Sequence, residues 1–222
     1  MPDLEPFLVS ARLAVAVTSV LIVLCPPLAR LRLSTDKVFA ALLESLAILP
    51  MVLPPTVLGF YFLAGLSPTS FAGAFLERRF GIRLLFTFPG LVLAGCIVCF
   101  PFMYQSVKTA MLALDPRLLE TSYTLGKGRA ETFFRVLLPN IVPGIVAGSV
   151  LAFAHAIGEF GVVLMVGGGI SGSTKTASIA LFESTEAYDY RGAGAYALVL
   201  LATSFIGVAL VNLIQRERRR LP

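Results

Sequence analysis

Apolar residues fall along this chain in long uninterrupted blocks, with the charges gathered between them. Residues 8–28, 38–66, 84–114, 141–166 and 195–214 form five such blocks. A hydrocarbon core about 30 Å thick is crossed by roughly 20 helical residues rising 1.5 Å each, so each block is long enough to span a bilayer. The second and fourth leave length over for tilt, a kink or an interfacial extension. The pattern predicts an all-α, polytopic membrane helix bundle of five spans; splitting one block gives six as the alternative. One transmembrane domain over residues 1–222 is the expected organisation.

Composition points the same way. Only 14% of residues are charged while 57% are hydrophobic; a soluble domain carries about 25% charged residues to cover its surface. The start, Met1-Pro2-Asp3-Leu4-Glu5, is acidic, and no small-residue cleavage site closes the first block, so that block is expected to stay as a span. With five spans, twelve of the 18 Lys and Arg residues fall on the side holding residues 108–135 and the C-terminal tail. The positive-inside bias then sets the N-terminus outside and the C-terminus in the cytoplasm. The basic tail Arg216-Glu217-Arg218-Arg219-Arg220 directly follows an apolar block. It reads as a lipid-headgroup anchor and not as a nucleic-acid contact.

Between the third and fourth blocks lies the most informative polar segment, residues 115–139. Asp115 can cap a helix whose first turn suits Pro116, and Gly126 can supply the left-handed residue that ends it. Leu118, Ser122 and Leu125 follow at i, i+4 and i+7, which predicts one narrow apolar or small face. A second amphipathic stretch, residues 129–137, is expected to end at Pro139. Two short helices with a glycine elbow can be a plain connector or a rigid lever.

The spacing Glu120-Thr121-Ser122-x3-Gly126-x9-Val136-x-Leu138-Pro139 resembles the E-A-A-x3-G-x9-I-x-L-P loop of ATP-binding cassette (ABC) importer permeases. Val136 stands for the isoleucine, and Thr121 and Ser122 replace the two alanines. The resemblance implies a type I importer permease in which Glu120 to Leu125 docks as a coupling helix on a cytoplasmic ATPase and Gly126 provides the bend. It also implies a homodimer, two ATPase subunits that hydrolyse ATP, a periplasmic binding protein outside, and no cofactor.

Two membrane stretches narrow the family. Pro50, Pro54 and Pro55 crowd the second block in Leu49-Pro50-Met51-Val52-Leu53-Pro54-Pro55; each removes a helical donor, so the span should break there. That break either shapes packing or lines a transport path. The fourth block carries Gly158-Glu159-Phe160-Gly161. Both stretches look like the molybdate permease subunit of the inner membrane. The G-E-F-G run is shared with sulfate and thiosulfate permeases, which implies a tetrahedral oxyanion. The proline run and the compact length favour molybdate, with tungstate inseparable from it.

At 100° per residue, Gly144, Gly148, Ala152, His155 and Glu159 fall within an arc of about 80°, so this face should pack closely against another helix. Two readings of His155 and Glu159 stand side by side. They satisfy each other, or Glu44 of the second block, as interhelical hydrogen bonds, or they form a gate. A carboxylate repels an oxyanion, so Glu159 suits a gate or latch better than a ligand.

Other patterns carry no chemistry. Cys96 and Cys99 form a C-x-x-C inside an apolar block with no second pair, which argues packing and no metal site. The glycine-rich run 167–176 fails the phosphate-loop order and is expected to be a mobile outer loop. One histidine and no nucleophile–base arrangement leave no case for catalysis by this chain. A secondary transporter would require paired ionisable residues and internal repeats that are not evident; a membrane scaffold without transport is the remaining alternative.

Overall fold

Every regular element is a helix among the residues described by the computed structural model, 3–33 and 37–218. Helix α1 (Glu5–Leu33) makes the first crossing and carries Pro26 and Pro27 in its last third. Next come α2 (Lys37–Val52), α3 (Pro55–Leu66) and the short α4 (Phe71–Phe80). The third crossing is α5 (Phe88–Leu112). The polar segment holds α6 (Pro116–Thr124) and α7 (Arg129–Thr132). A π-helical turn (Phe133–Leu137) then runs into α8 (Leu138–Gly158), and α9 (Gly161–Gly167), α10 (Ala177–Glu186) and α11 (Tyr190–Arg218) complete the chain. Arg219 and Arg220 of the basic tail lie outside the described residues.

Among the described residues four helices are individually long and apolar enough to cross a membrane, and α2 with α3, bent by 108°, gives a fifth if the pair is counted as one broken span. The bend falls at Leu53–Pro54, the place the proline run predicts. Pro54 is extended (φ −56°, ψ 137°) and Pro55 opens α3, where its missing N–H costs nothing.

The centre of the bundle is α1, α5 and α8. Leu13, Val17 and Leu21 of α1, Leu91, Met103 and Val107 of α5, and Ile141 and Ala152 of α8 are all buried in one cluster. Glycines set the helix separations. A Cβ on Gly144 would stand 2.3 Å from Ala110 Cβ, and one on Gly148 would stand 2.8 Å from Met103 Sδ, so α8 lies against α5 as the small-residue face requires. Outward, α11 exposes Leu198, Leu201, Phe205 and Leu213, an apolar exterior suited to lipid.

Hydrogen bonds give the bundle its polarity. Tyr196 Oη donates to the Asp3 carbonyl (3.2 Å) and the Ala177 amide donates to Ser10 Oγ (2.9 Å), so α1, α10 and α11 start at one end. The Phe86 amide donates to the Val166 carbonyl (2.8 Å), adding the start of α5 and the end of α9. Arg30 donates to Tyr123 Oη (3.1 Å), placing the end of α1 beside α6 at the other end. The chain therefore enters and leaves at opposite ends of the bundle.

Two expectations change. The fourth block is not one span over 141–166. Its helix starts at Arg129 and stops at Gly158, because Glu159 turns extended (φ −64°, ψ 131°) and its carboxylate accepts the Val162 amide in the first turn of α9. The glycine-rich run is not a free loop either. Thr174, fully buried, donates to the Gly167 carbonyl (2.6 Å) and accepts from the Ile170 amide (2.9 Å), with Gly168, Gly169 and Gly172 all left-handed.

Candidate functional site

The polar segment is built from local rules. Asp115 Oδ1 accepts the Arg117 amide (2.9 Å) at the start of α6. At its end Gly126 takes φ +79°, the Lys127 amide donates to the Ser122 carbonyl (3.2 Å), and the Gly126 amide donates to the Tyr123 carbonyl (2.9 Å). This pair of bonds is a Schellman ending, which requires a left-handed residue and so favours glycine.

Ser122 turns inward. Its hydroxyl lies 2.8 Å from Thr132 Oγ1, both residues are buried, and Leu119 packs beside it on the core. Leu118 and Leu125 are exposed, Leu125 to 71%. The expected face of Leu118, Ser122 and Leu125 is thus corrected. Satisfying a buried hydroxyl orients the nine-residue helix, and Leu125 leaves the helical run as its C-cap. Glu120, Thr121, Tyr123 and Leu125 remain on the outer surface.

Beyond the elbow, Lys127 Nζ meets Glu131 Oε1 at 2.5 Å and Arg135 meets the same oxygen at 3.3 Å. The helix from Arg129 does not stop at Pro139. The Leu138 amide bonds back five residues to the Phe133 carbonyl. That wider turn precedes a proline whose ring would otherwise press on the carbonyl four residues back. Asn140 Nδ2 donates to the Val136 carbonyl (2.7 Å). Val136 and Leu138 are half-buried, Pro139 is exposed, and the run 129–158 is one helical rod carrying α7 into the membrane.

The two breaks in the membrane meet each other. A Cβ on Gly161 would stand 2.8 Å from Pro55 Cβ, and one on Gly59 would stand 2.6 Å from Met165 Sδ, so α3 and α9 are in close contact. Glu159 is only 7% exposed. Its Oε1 accepts the Val162 amide (3.2 Å), its Oε2 lies 3.5 Å from His155 Nε2, and its carbonyl accepts from Ser178 Oγ (2.6 Å). His155 also packs against Phe102 with the rings tilted, centroids 4.4 Å apart.

Pro55, His155 and Glu159 therefore belong to linked breaks, whereas Pro50 lies within α2 on a separate apolar groove. The His155–Glu159 contact runs along one chain segment and is not interhelical, because the helix ends between them. Glu44 is not their partner: it forms an ion pair with Lys108 of α5, both side chains mostly buried. Nothing in the one-dimensional pattern singled out Thr132, Ser178 or Phe102. Lys108, a lysine near the end of an apolar block, was the one readable signal.

Residues 27–220 match the family of binding-protein-dependent transport system inner membrane components. The chain belongs to that family: it is a multi-pass permease of the ABC importer class, a transport component and not a catalyst. Among its relatives, the molybdenum transport system permease ModB of Azotobacter vinelandii is 38% identical over 92% of this chain and 90% of its own length. ModB of Escherichia coli K12 is 35% identical over 81% and 79%. The sulfate transport system permease CysT of Salmonella typhimurium is 34% identical over 78% of this chain and 62% of its own. The fold is shared with a bacterial ABC transporter that imports the polysaccharide alginate (TM-score 0.68, 16% identity, 98% of this chain and 80% of that one). It is also shared with an amino acid ABC transporter (TM-score 0.60, 16% identity, 98% and 93%).

Proposed function

We propose that this chain is the single-domain permease subunit of an ABC importer for molybdate, with tungstate taken equally. Two copies form the pathway, two ATPase subunits bind at the end holding residues 115–139, and an oxyanion-binding protein docks at the other. The N-terminus is then periplasmic and the C-terminus cytoplasmic. Glu120, Thr121 and Leu125 form the surface offered to the ATPase, Gly126 sets its angle, and Val136, Leu138 and Pro139 carry the motion into the fourth span. The observation that carries this reading is the build of α6. It is an exposed helix closed by a left-handed glycine and hydroxyl-bonded to a rod that is continuous with a membrane crossing. A flexible loop would dissipate a push; this arrangement transmits one.

The linked breaks at Pro54–Pro55 and Gly158–Gly161 supply the gate, with His155 and Glu159 as its latch. Glu159 is held by its own backbone neighbours and carries the wrong charge to bind an oxyanion. Molybdate as substrate rests on the ModB relatives over most of their length. Sulfate is the second reading, because CysT is nearly as similar.

Uptake of labelled molybdate into proteoliposomes holding the chain, its ATPase and its binding protein tests the proposal. Uptake that needs ATP and is blocked by tungstate but not sulfate is expected. Blockage by sulfate moves the substrate and keeps the machine. Uptake without ATP overturns both the coupling role of α6 and the importer reading.

A further inference from the structure

Two cavities share Leu31 as a wall, one at the α6 end of the bundle and one reaching from there to its middle. The first, of about 930 Å³, is lined by Arg30, Tyr123, Lys127, Arg129, Phe133 and Phe134 among others. Among the described residues its lining carries three cationic side chains, Arg30, Lys127 and Arg129, and no carboxylate, with Lys127 also meeting Glu131 just outside it. The second, of about 480 Å³, is an apolar groove between α1, α2 and α5. Along α1 its wall is Leu21, Leu24, Leu28 and Leu31, one side of a helix at spacings of three and four. From Leu21 to Leu31 the helix rises about 15 Å, half the thickness of a hydrocarbon core and so the depth of one leaflet.

A cavity with cationic walls at a span's end that meets, at Leu31, an apolar groove one leaflet deep has the division of a phospholipid. We propose that the paired cavities seat one anionic phospholipid. Its phosphate lies among Arg30, Lys127 and Arg129, and an acyl chain lies along Leu21 to Leu31. A free phosphate would fill only the first cavity and leave the groove bare. A protein segment docking on α6 would have no use for the groove. The site goes beyond the transport reading and does not depend on it.

Native mass spectrometry of the full-length chain in detergent, with phosphatidylglycerol or phosphatidylcholine added, tests the site. The wild type should retain phosphatidylglycerol over phosphatidylcholine. Lys127→Gln and Arg129→Gln should each lower that retention about fivefold, and Arg129→Lys should restore it, which separates lost charge from lost folding. Leu46 is exposed at the groove, so Leu46→Trp can occlude the groove without disturbing the core, and should lower retention as well. Equal retention of the two lipids, or no effect of the glutamine variants, would overturn the proposal. Release of phosphatidylglycerol by excess inorganic phosphate would make this a free-anion site. Retention unchanged by Leu46→Trp would remove the acyl chain from it. Loss of the lipid when the ATPase binds would make the cavity part of a protein interface.

Discussion

Gly126 stands at φ +79° with no atom within 4 Å of where a Cβ would be, so its requirement is conformational and not spatial. A β-branched residue in the left-handed region costs about 1–2 kcal/mol, whereas asparagine enters it more readily. Gly126→Val should cut ATP-dependent uptake by about an order of magnitude, with membrane insertion unchanged, and Gly126→Asn should retain most of it. Equal uptake in the two variants would separate the elbow from transport. The Ser122–Thr132 hydroxyl pair makes a sharper case, because both groups are buried. Ser122→Ala leaves the Thr132 hydroxyl unsatisfied and should cost about 1–3 kcal/mol. Adding Thr132→Val removes the orphan, so the double variant should be more stable than Ser122→Ala alone. Thermal unfolding of the purified chain in detergent measures both, and strictly additive losses would argue that the two hydroxyls do not interact.

Between elements, the Glu44–Lys108 ion pair ties the second span to the third, close to where α5 leads into α6. Both side chains are mostly buried, so removing one partner takes an attractive charge away from a group that has little water to replace it. Lys108→Met should destabilise the chain by about 3 kcal/mol. The exchange Glu44→Lys with Lys108→Glu should recover stability relative to either single change, and no recovery would mean that surrounding groups fix the sign at each position. This pair escaped the sequence because partners 64 residues apart have no shared periodicity. What was legible followed local rules. The break at Pro54–Pro55 could be read because proline lacks a donor, and the α6 ending because glycine enters the left-handed region freely. Pro139 misled for a related reason: proline normally stops a helix, but a π-turn upstream let this one continue. Gly158-Glu159-Phe160-Gly161 was visible as a motif but not as a helix end, since only the folded chain brings Ser178 to the Glu159 carbonyl that the break sets free.

At the scale of the whole molecule, counting the bent α2–α3 pair as one span gives five crossings, and an odd count puts the chain's two ends at opposite ends of the bundle. The crossings do not say which end meets the cytoplasm; the proposal that residues 115–139 lie inside rests on the distribution of lysine and arginine. The three cysteines lie within α1 and α5, two of them buried, so they give little background for labelling an introduced thiol. Thr69, between α3 and α4, and Thr121, on α6, are both exposed and lie toward opposite ends. In intact cells expressing the chain alone, a membrane-impermeant maleimide should label Thr69→Cys, and should label Thr121→Cys only after permeabilisation. The reverse pattern would invert the topology and put the proposed coupling surface where no ATP is found. Labelling of both in intact cells would break the odd count of spans. Co-expression of the ATPase adds a further discrimination: it should shield Thr121→Cys and leave Thr69→Cys unchanged, because a docked subunit covers α6 alone. If Thr121→Cys stays as reactive with the ATPase bound as without it, α6 is a connector and the force must enter the bundle elsewhere.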